Sequence, residues 1–426
     1  MAYIPVILVF LLYFSGIPIA FALFGASIFY FTFFDAGMPP DLVLQQFITA
    51  TASFPLLAIP FFVMAGSVMN YSGISKKLMQ MAEVLTGHMT GGMAQVNVLL
   101  STMMGGVSGS ANADAAMQSK ILVPQMVKRG YSASFSSAIT AASSAISPVI
   151  PPGITMIIYA LIAQVSVGEM FAAGYVPGMI MAVSLMVTVT IISKKRNYKP
   201  SRDKRANSKE ILLQFVDSSW SLMLPFGIIL GLRFGIFTPT EAGAMAVLAS
   251  ALIGIFIYKE LTFAHIKPIL LDTIYGTGTV VLIIVSASVF GYYLNWERIP
   301  QLLTEQLLLM TDNKWVMLGV LNVFLLCIGM FLEGGAALII LAPLLVPVVV
   351  QLGVDPVHFG MIIIVNIMIG GVTPPFGSMM FTTCSVTKVP VGDFVKEIWP
   401  FIIALIFSLL VITYFPSLVL FLPNLM

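Results

Sequence analysis

Prolines interrupt an apolar run of membrane length at residues 143–153, which read Ser-Ser-Ala-Ile-Ser-Pro-Val-Ile-Pro-Pro-Gly. Proline lacks a backbone N–H and its ring clashes with the preceding turn, so a continuous helix cannot pass through this stretch. In a bilayer the freed carbonyl groups find no partner in lipid, and such a break must face protein, a water-filled cavity or a bound ion. The same arrangement recurs at residues 369–377, Ile-Gly-Gly-Val-Thr-Pro-Pro-Phe-Gly. We interpret the two breaks as the two halves of one transport site.

The composition around the breaks is that of an all-α polytopic membrane protein. Of the 426 residues, 59% are hydrophobic and only 9% are charged. Most segments between charges are long enough to cross a bilayer as a helix, which takes about 20 apolar residues. The predicted spans lie near 3–34, 42–70, 170–193, 211–236, 239–258, 268–294 and 394–422, with interrupted pairs of helices at 93–127 and 315–351 and broken spans at 133–165 and 357–387.

Each interrupted pair has arms of only 13 to 16 apolar residues, too short for two full crossings of the roughly 30 Å hydrocarbon core. We therefore predict two re-entrant helical hairpins whose tips, residues 108–114 and 332–336, lie near mid-membrane. Two short ordinary helices joined at a surface are the alternative, and they fit either hairpin taken alone. The matching positions of the two hairpins favour the re-entrant interpretation.

The two halves of the chain also match in sequence. Placing residues 106–156 on 329–379 without a gap gives 13 identities in 51 positions, including both Pro-Pro pairs. Coincident helix breakers in one register indicate an internal repeat. We predict a first repeat at 1–193, a basic linker at 194–210 and a second repeat at 211–426.

The distribution of positive charge predicts the orientation. The linker carries eight Lys and Arg against Asp203 and Glu210, and sixteen of the 20 Lys and Arg fall on the same side of the predicted topology. Positive charge concentrates on the cytoplasmic side of membrane proteins, so the N-terminus and the linker are predicted to be cytoplasmic. The hairpins then enter from opposite sides, which predicts inverted repeats of the secondary-transporter type.

The tips and breaks are rich in Gly, Ser, Thr and Asn, and almost devoid of Cys and His. Carbonyl and hydroxyl oxygens suit Na⁺ or another hard cation rather than a transition metal. A first Na⁺ site is predicted at Gly106, Ser108, Ser110, Ser147, Ile150 and Gly153, and a second at Gly329, Gly334, Gly335, Gly370, Thr373 and Phe376. The alternative for each hydroxyl is a bond back to its own helix.

Polar side chains between the breaks are the predicted contacts of a substrate. Free N–H groups at half-helix N-termini would hold an organic anion without a direct Arg contact. The predicted substrate-binding residues are Asn112, Ser143, Ser144 and Asn366.

Five ionisable residues lie deepest in apolar context: Asp114, Lys120, Arg233, Glu241 and Glu333. Asp114 and Lys120 are six residues apart, about 240° round a helix, so they are not predicted to pair along one face. Arg233 and Glu241 flank the turn at 238–240 and are predicted to form a structural ion pair. For Asp114 and Glu333, beside the tips, both a site role and a scaffold role stay open.

Several function classes lack the residues that they need. There is no Walker A segment, His-Glu-x-x-His or Gly-x-Ser-x-Gly motif, the three histidines are scattered, and the two cysteines lie in apolar context. We therefore expect no enzyme, no organic cofactor and no nucleic-acid partner. A passive anion channel, or another permease without a binding protein, is the alternative to a secondary transporter. Flux that is independent of a cation gradient would favour the channel.

Four motifs give the chain a resemblance to the DctM-like large membrane subunits of tripartite ATP-independent periplasmic (TRAP) transporters. The resemblance extends over essentially the whole chain. Its motifs are Gly105-Gly106-Val107-Ser108-Gly109-Ser110-Ala111-Asn112-Ala113-Asp114, Ser147-Pro148-Val149-Ile150-Pro151-Pro152, Phe237-Thr238-Pro239-Thr240-Glu241-Ala242-Gly243-Ala244 and Gly371-Val372-Thr373-Pro374-Pro375-Phe376-Gly377.

This resemblance implies Na⁺-coupled import of an organic acid anion across a bacterial inner membrane by an elevator motion between scaffold and transport domains. It also implies a separate small four-helix membrane subunit and a periplasmic substrate-binding protein. The predicted topology, with a cytoplasmic N-terminus, places the C-terminus in the periplasm. The tip at residues 332–335, Leu-Glu-Gly-Gly, is most similar to sialic-acid members, with C4-dicarboxylates as the next candidate substrates.

Overall fold

The computed structural model describes residues 3–34, 40–51, 54–311 and 313–425, and in these ranges all regular structure is helical. The first half contains α1 (Ile4–Phe14), α2 (Ile19–Phe33), α3 (Pro40–Thr51), α4 (Ala58–Tyr71), α5 (Ile74–Thr86), α6 (Gly92–Ser108), α7 (Ala111–Lys128), α8 (Ala133–Ser144), α9 (Ile154–Ala163) and α10 (Val167–Arg196). The second half contains α11 (Ser208–Arg233), α12 (Pro239–Leu252), α13 (Ile266–Trp296), α14 (Ile299–Met310), α15 (Lys314–Phe331), α16 (Gly334–Gln351), α17 (Pro356–Gly370), α18 (Ser378–Thr387), α19 (Val391–Tyr414) and α20 (Pro416–Val419).

The prediction of an all-α polytopic membrane protein is confirmed. Among the described residues, seven helical segments are long and apolar enough to cross a bilayer, and the bent pair α8 and α9 would make an eighth. The seven are Val167–Arg196, Ser208–Arg233, Pro239–Ile257, Phe263–Trp296, Lys314–Phe331, Gly334–Gln351 and Val391–Tyr414.

The predicted single span at 3–34 is wrong, because the structure has two helices there. The chain turns between α1 and α2, where Gly16 adopts a left-handed φ of 92°. Glycine adopts this conformation without steric cost, and Pro18, which precedes α2, has no N–H to continue a helix from α1. Helix α14 is a further element that the sequence did not predict. Within the predicted span 42–70, residues 52–53 lie outside the described residues.

Both proline breaks form where the sequence predicts them. In the first, α8 ends at Ser144, a short 3₁₀ turn covers Ser147–Val149, and α9 continues at an angle of 45°. In the second, α17 ends at Gly370 and α18 begins at Ser378. Each broken helix therefore has a carbonyl-bearing C-terminal end and an N–H-bearing N-terminal end that meet in the interior of the molecule.

Helix boundaries follow the register of the internal repeat. Helices α7 and α16 both begin and end 223 residues apart, and α8 and α17 begin at the same offset. Equivalent residues cap these helices as well. Ser110 and Glu333 accept N–H groups at the starts of α7 and α16, and Ser132 and Asp355 do so at α8 and α17. The hairpin and broken helix of each half are thus built to one plan.

The predicted ion pair between Arg233 and Glu241 does not form. Glu241 instead accepts the backbone N–H of Thr238 at 2.7 Å, and the Thr238 side chain caps α12 in return. This reciprocal capping box satisfies two backbone donors at the helix start. Arg233 donates to the carbonyl oxygen of Leu425 at 2.9 Å. The Glu241 carboxylate is therefore used in the capping of its own helix and does not pair with Arg233.

Close backbone approach holds the second hairpin against its broken helix. A Cβ added at Gly370 would lie 2.4 Å from the carbonyl carbon of Gly329 and 2.5 Å from its Cα. Real Cβ atoms do not approach backbone so closely, so only glycine fits at this crossing of α15 and α17.

We expect Gly370→Ala to lower the free energy of unfolding by about 1–3 kcal/mol, the usual cost of overpacking, because backbone must move to admit the methyl group. Thermal unfolding of the purified membrane protein measures this. Gly392→Ala is the control, since its Cβ would meet nothing within 4 Å. Equal melting temperatures for the two variants would contradict the close-contact argument.

Candidate functional site

The hairpin tips and the broken helices of both halves enclose one cavity of about 190 Å³. A third wall comes from α13, through Thr279, Val280 and Ile283. The first half contributes Gly109, Ser110, Ala111, Asn112, Pro148, Ile154, Thr155 and Ile158, and the second half contributes Glu333, Gly334, Gly335, Ile339, Ile367, Met368, Gly371, Ser378 and Met379.

Four helices begin at this cavity: α7, α9, α16 and α18. The N–H groups of Ala111 and Asn112 on α7, and of Ile154 and Thr155 on α9, donate to no acceptor among the described residues. Helix N-termini carry unsatisfied donors and about half a positive charge each. These helix ends therefore favour negative charge, although none of the described residues that line the cavity is a lysine or an arginine.

Helix α16 differs from the other three because a carboxylate closes its N-terminus. Glu333 Oε2 accepts the backbone N–H groups of Gly335 at 3.1 Å and Ala336 at 3.4 Å. Two of the N–H groups at this end are thus satisfied within the protein, and the Glu333 carboxyl group is part of the cavity lining.

The predicted residues of the first Na⁺ site come together around the hairpin tip and the first break. The hydroxyl oxygens of Ser108 and Ser147 lie 3.2 Å apart. Gly106 packs near the carbonyl oxygen of Pro151, and a Cβ at Gly153 would lie 2.3 Å from the carbonyl oxygen of Pro148. Ile150 lies in the same break, while Ser110 caps α7 at the cavity.

The predicted residues of the second Na⁺ site divide between two places. Gly329 and Gly370 are in backbone contact, and Thr373 follows them in the break. The Thr373 hydroxyl donates to the carbonyl oxygen of Ile369 at 2.7 Å, the back-bonding that was the alternative for each hydroxyl. Gly334 and Gly335 line the cavity instead. Phe376 is 55% exposed, with its ring centroid 5.3 Å from that of Phe331.

Of the four predicted substrate contacts, only Asn112 lines the cavity. Its Oδ1 atom is buried and has no hydrogen-bond partner in the described chain. Ser143, Ser144 and Asn366 are fully buried away from the cavity lining. Their predicted contact with substrate stays a prediction.

Ser143 and Asn366, which are equivalent in the two halves, instead bind asparagines on the hairpins. Ser143 donates to Asn97 Oδ1 at 2.8 Å, and Asn366 Nδ2 donates to Asn322 Oδ1 at 2.8 Å. Each asparagine also donates onward, Asn97 to Thr140 at 2.7 Å and Asn322 to a threonine of α19 at 2.9 Å. Ser144 donates to the carbonyl oxygen of Thr140 at 2.7 Å. These buried bonds fix each hairpin to its broken helix.

Asp114 is fully enclosed in the first hairpin. Gln118 Nε2 donates to Asp114 Oδ2 at 2.9 Å and to the hydroxyl of Ser101 at 2.8 Å, while Asp114 Oδ1 is buried without a partner in the described residues. Lys120, six residues along the helix, does not contribute to this group, as its position on the opposite face predicts.

Sequence reasoning missed three hydroxyl residues of the cavity: Thr155, Ser378 and Thr279. Thr155 and Ser378 are equivalent in the internal repeat, and each stands at the start of a half-helix just after a break. That paired position was a usable signal. Nothing in the sequence marked Thr279 as a cavity residue. In the structure its Oγ1 donates to the carbonyl oxygen of Tyr275, as in many helical threonines.

Two broken helices and two hairpins around an interior cavity, in a described chain that is all helical with several candidate membrane spans, are typical of a membrane transporter. The fold is similar to that of the YdaH transporter of Alcanivorax borkumensis, with a TM-score of 0.62 over 87% of this chain and 86% of that chain. At 14% identity this likeness concerns the fold alone. The chain belongs to the DctM family, the DctM component of tripartite ATP-independent periplasmic transporters, whose family model matches residues 6–418.

Curated relatives support the family over nearly full length. The chain is 36% identical to the sialic acid TRAP transporter large permease protein SiaM of Vibrio cholerae, over 97% of this chain and 96% of the relative. It is 33% identical to the C4-dicarboxylate TRAP transporter large permease protein DctM of Rhodobacter capsulatus, again over 97% and 96%. The predicted family is confirmed.

We expect Asn112→Ala and Ser143→Ala to act in different ways. Asn112 lines the cavity, where its amide NH₂ group can donate to an anion, so its loss should weaken binding of the transported anion while the melting temperature stays unchanged. Ser143→Ala leaves the buried Asn97 Oδ1 without its donor and should cost about 1–3 kcal/mol of stability. Uptake assays run beside thermal unfolding separate the effects. A stable Ser143→Ala protein with selectively weakened uptake would return Ser143 to the binding site.

Proposed function

We propose that this chain is the large membrane subunit of a Na⁺-coupled TRAP transporter that imports an organic acid anion across a bacterial inner membrane. The observation that supports it best is the convergence of half-helix ends from both halves on one cavity. N-terminal ends suit an anion, and the adjoining carbonyl-bearing ends suit a hard cation. Membership of the DctM family makes the chain one component of a three-part system.

The contacts of the tips support re-entrant hairpins. If α8 and α9 together cross the bilayer, their break lies near its middle, and the contact of Ser108 with Ser147 puts the first tip at the same depth. The observed arms of 17 and 18 residues are longer than predicted, because Asn112 and Asp114 belong to the first turn of α7. The depth of the first tip in the bilayer, rather than the length of the two hairpin helices, is therefore the argument that the hairpin is re-entrant.

The walls of the cavity support the proposal of an elevator motion. Hydrogen bonds and backbone contacts fix each hairpin to its broken helix, which gives one body, whereas α13 lines the cavity through Thr279, Val280 and Ile283. We propose that the hairpins and broken helices move as the transport domain past a scaffold that includes α13. If the repeats are inverted, as the sequence predicts, the two end states would be related by symmetry.

Na⁺ is the proposed coupling ion because the groups at the breaks are hydroxyl and carbonyl oxygens. Among the described residues, no three His, Cys, Asp or Glu side chains gather as a metal cluster, and hard cations are bound by oxygen ligands. A passive channel remains the competing function, with flux that does not depend on a cation gradient.

The remaining partners are a separate small membrane subunit and a periplasmic binding protein. The longest polar stretch is the linker near 194–210, and no soluble domain is available to capture substrate. The relatives named for sialic acid and for C4-dicarboxylates have similar identities to this chain. Sequence identity alone therefore does not identify the transported anion. Sialic acid stays the first proposal, with C4-dicarboxylates next.

We expect uptake in proteoliposomes to require an inward Na⁺ gradient. Ser147→Ala and Thr373→Ala should raise the Na⁺ concentration at half-maximal uptake by about tenfold, since each removes an oxygen ligand or its support. Ser219→Ala is the control, because its hydroxyl only bonds back to Val216. Unchanged uptake after replacement of Na⁺ by choline would refute the coupling and favour the channel.

We also expect the membrane complex with its small subunit to transport slowly until the cognate binding protein is added, because capture of the substrate is delegated. The measurement is initial uptake rate against the concentration of binding protein. Full-rate transport in its absence would contradict the three-part assembly.

A further inference from the structure

The two repeat-equivalent tips place different residues at the cavity. Ser110 caps α7 and Glu333 caps α16, at positions related by the internal repeat. One tip therefore ends in a neutral hydroxyl and the other in a carboxylate. The cavity between them is polarised although the backbone around it is nearly symmetric.

The end at Ser110 is built for a carboxylate. The first two N–H groups of α7 and of α9 have no partner among the described residues, and the amide of Asn112 lies beside them. The hydroxyl of Thr155 is also in the lining, where it donates to the carbonyl oxygen of Pro148 at a long 3.5 Å. Asn112 Oδ1 is buried and unpartnered, so the amide is free to turn its NH₂ group toward an incoming oxygen. An anionic group here gains several donors and two helix N-termini.

The end at Glu333 opposes a second anionic group. Its Oε2 is committed to the α16 backbone, and its Oε1 has no hydrogen-bond partner among the described residues. A second anionic group placed beside this carboxylate would be repelled by a like charge. A hydroxyl group, in contrast, can donate to Oε1 and form a charge-assisted hydrogen bond.

The volume of the cavity restricts the ligand further. Its volume of about 190 Å³ is below the roughly 300–1,000 Å³ of sites for drug-sized ligands. A compact acid of three or four carbons suits this space, whereas the sugar acid sialic acid is far larger.

We propose that the transported substrate is a compact monocarboxylate carrying hydroxyl groups, and that Glu333 is the residue that rejects dicarboxylates. The substrate carboxylate binds at the starts of α7 and α9, and a hydroxyl donates to Glu333. This proposal rests on the transport function proposed above.

The test uses the membrane complex of this chain with its small subunit, in Na⁺ buffer and without a binding protein, since that protein makes its own selection. D-glycerate, succinate and N-acetylneuraminate are the probes. The measurement is the concentration of each that half-maximally raises the melting temperature, repeated with choline in place of Na⁺. We expect Na⁺-dependent stabilisation by glycerate at concentrations at least tenfold lower than by succinate or N-acetylneuraminate.

Variants at Glu333 test the residue itself. Glu333→Gln keeps an oxygen to cap α16 but removes the charge, and should weaken glycerate binding and strengthen succinate binding, changing their ratio about tenfold or more. Glu333→Ser, which copies the equivalent Ser110, gives the same readout if the glutamine variant is unstable. Asp355→Asn is the matched control, because Asp355 caps α17 through the N–H groups of Val357 and His358 but lies outside the cavity lining.

The outcomes separate this proposal from the transport function. Tighter Na⁺-dependent binding of succinate or N-acetylneuraminate, or a glycerate-to-succinate ratio that Glu333→Gln and Glu333→Ser leave unchanged, overturns the proposal and leaves Na⁺-coupled transport intact. Stabilisation by the probes that is the same in choline refutes the Na⁺-coupled function. If none of the three probes binds, this substrate class is refuted while Na⁺-driven uptake with the binding protein still tests the function.

Discussion

Backbone groups without partners at membrane depth are the constraint on which this structure depends. A helix satisfies its own backbone, but the residues at 144–153 and 371–377 leave N–H and carbonyl groups that lipid cannot bind. A hairpin packs against each break, so that the polar helix ends of the hairpin and of the broken helix contact one another in the interior. Ser108 beside Ser147 and Gly329 against Gly370 are the points of contact. The cavity lies between these paired ends.

Small residues make the contact possible and buried amides make it rigid. Gly370 admits backbone at distances that any side chain would prevent. Asn97 and Asn322 bind Ser143 and Asn366, which lie within about one turn of the ends of α8 and α17. A buried amide that loses its partner is costly. Hairpin and broken helix are therefore coupled in both halves, and a motion that separated them would leave these groups unpaired.

The sequence predicted features that depend on the backbone properties of proline and glycine. It did not indicate which side chains face the cavity, because that depends on how each helix is rotated about its axis. Proline and glycine act whatever their surroundings, so both breaks, both hairpins and the offset of 223 residues between α7 and α16 follow from the printed sequence. Ser143 lies in the right segment but faces its hairpin rather than the cavity, and only packing sets that rotation. The turn at Gly16 was hidden because the residues on both sides of it are apolar.

The similarity of the two repeats and their difference at the hairpin tips have separate effects at the cavity. Symmetry brings four helix N-termini to one place, and the pair Thr155 and Ser378 preserves it in the side chains. A symmetric field of that kind attracts negative charge without distinguishing one anion from another. Discrimination needs unequal groups at equivalent positions, and the tips provide them in Ser110 and Glu333. The Glu333 carboxylate also caps α16, so its position in the cavity lining is fixed by the backbone N–H groups that it accepts.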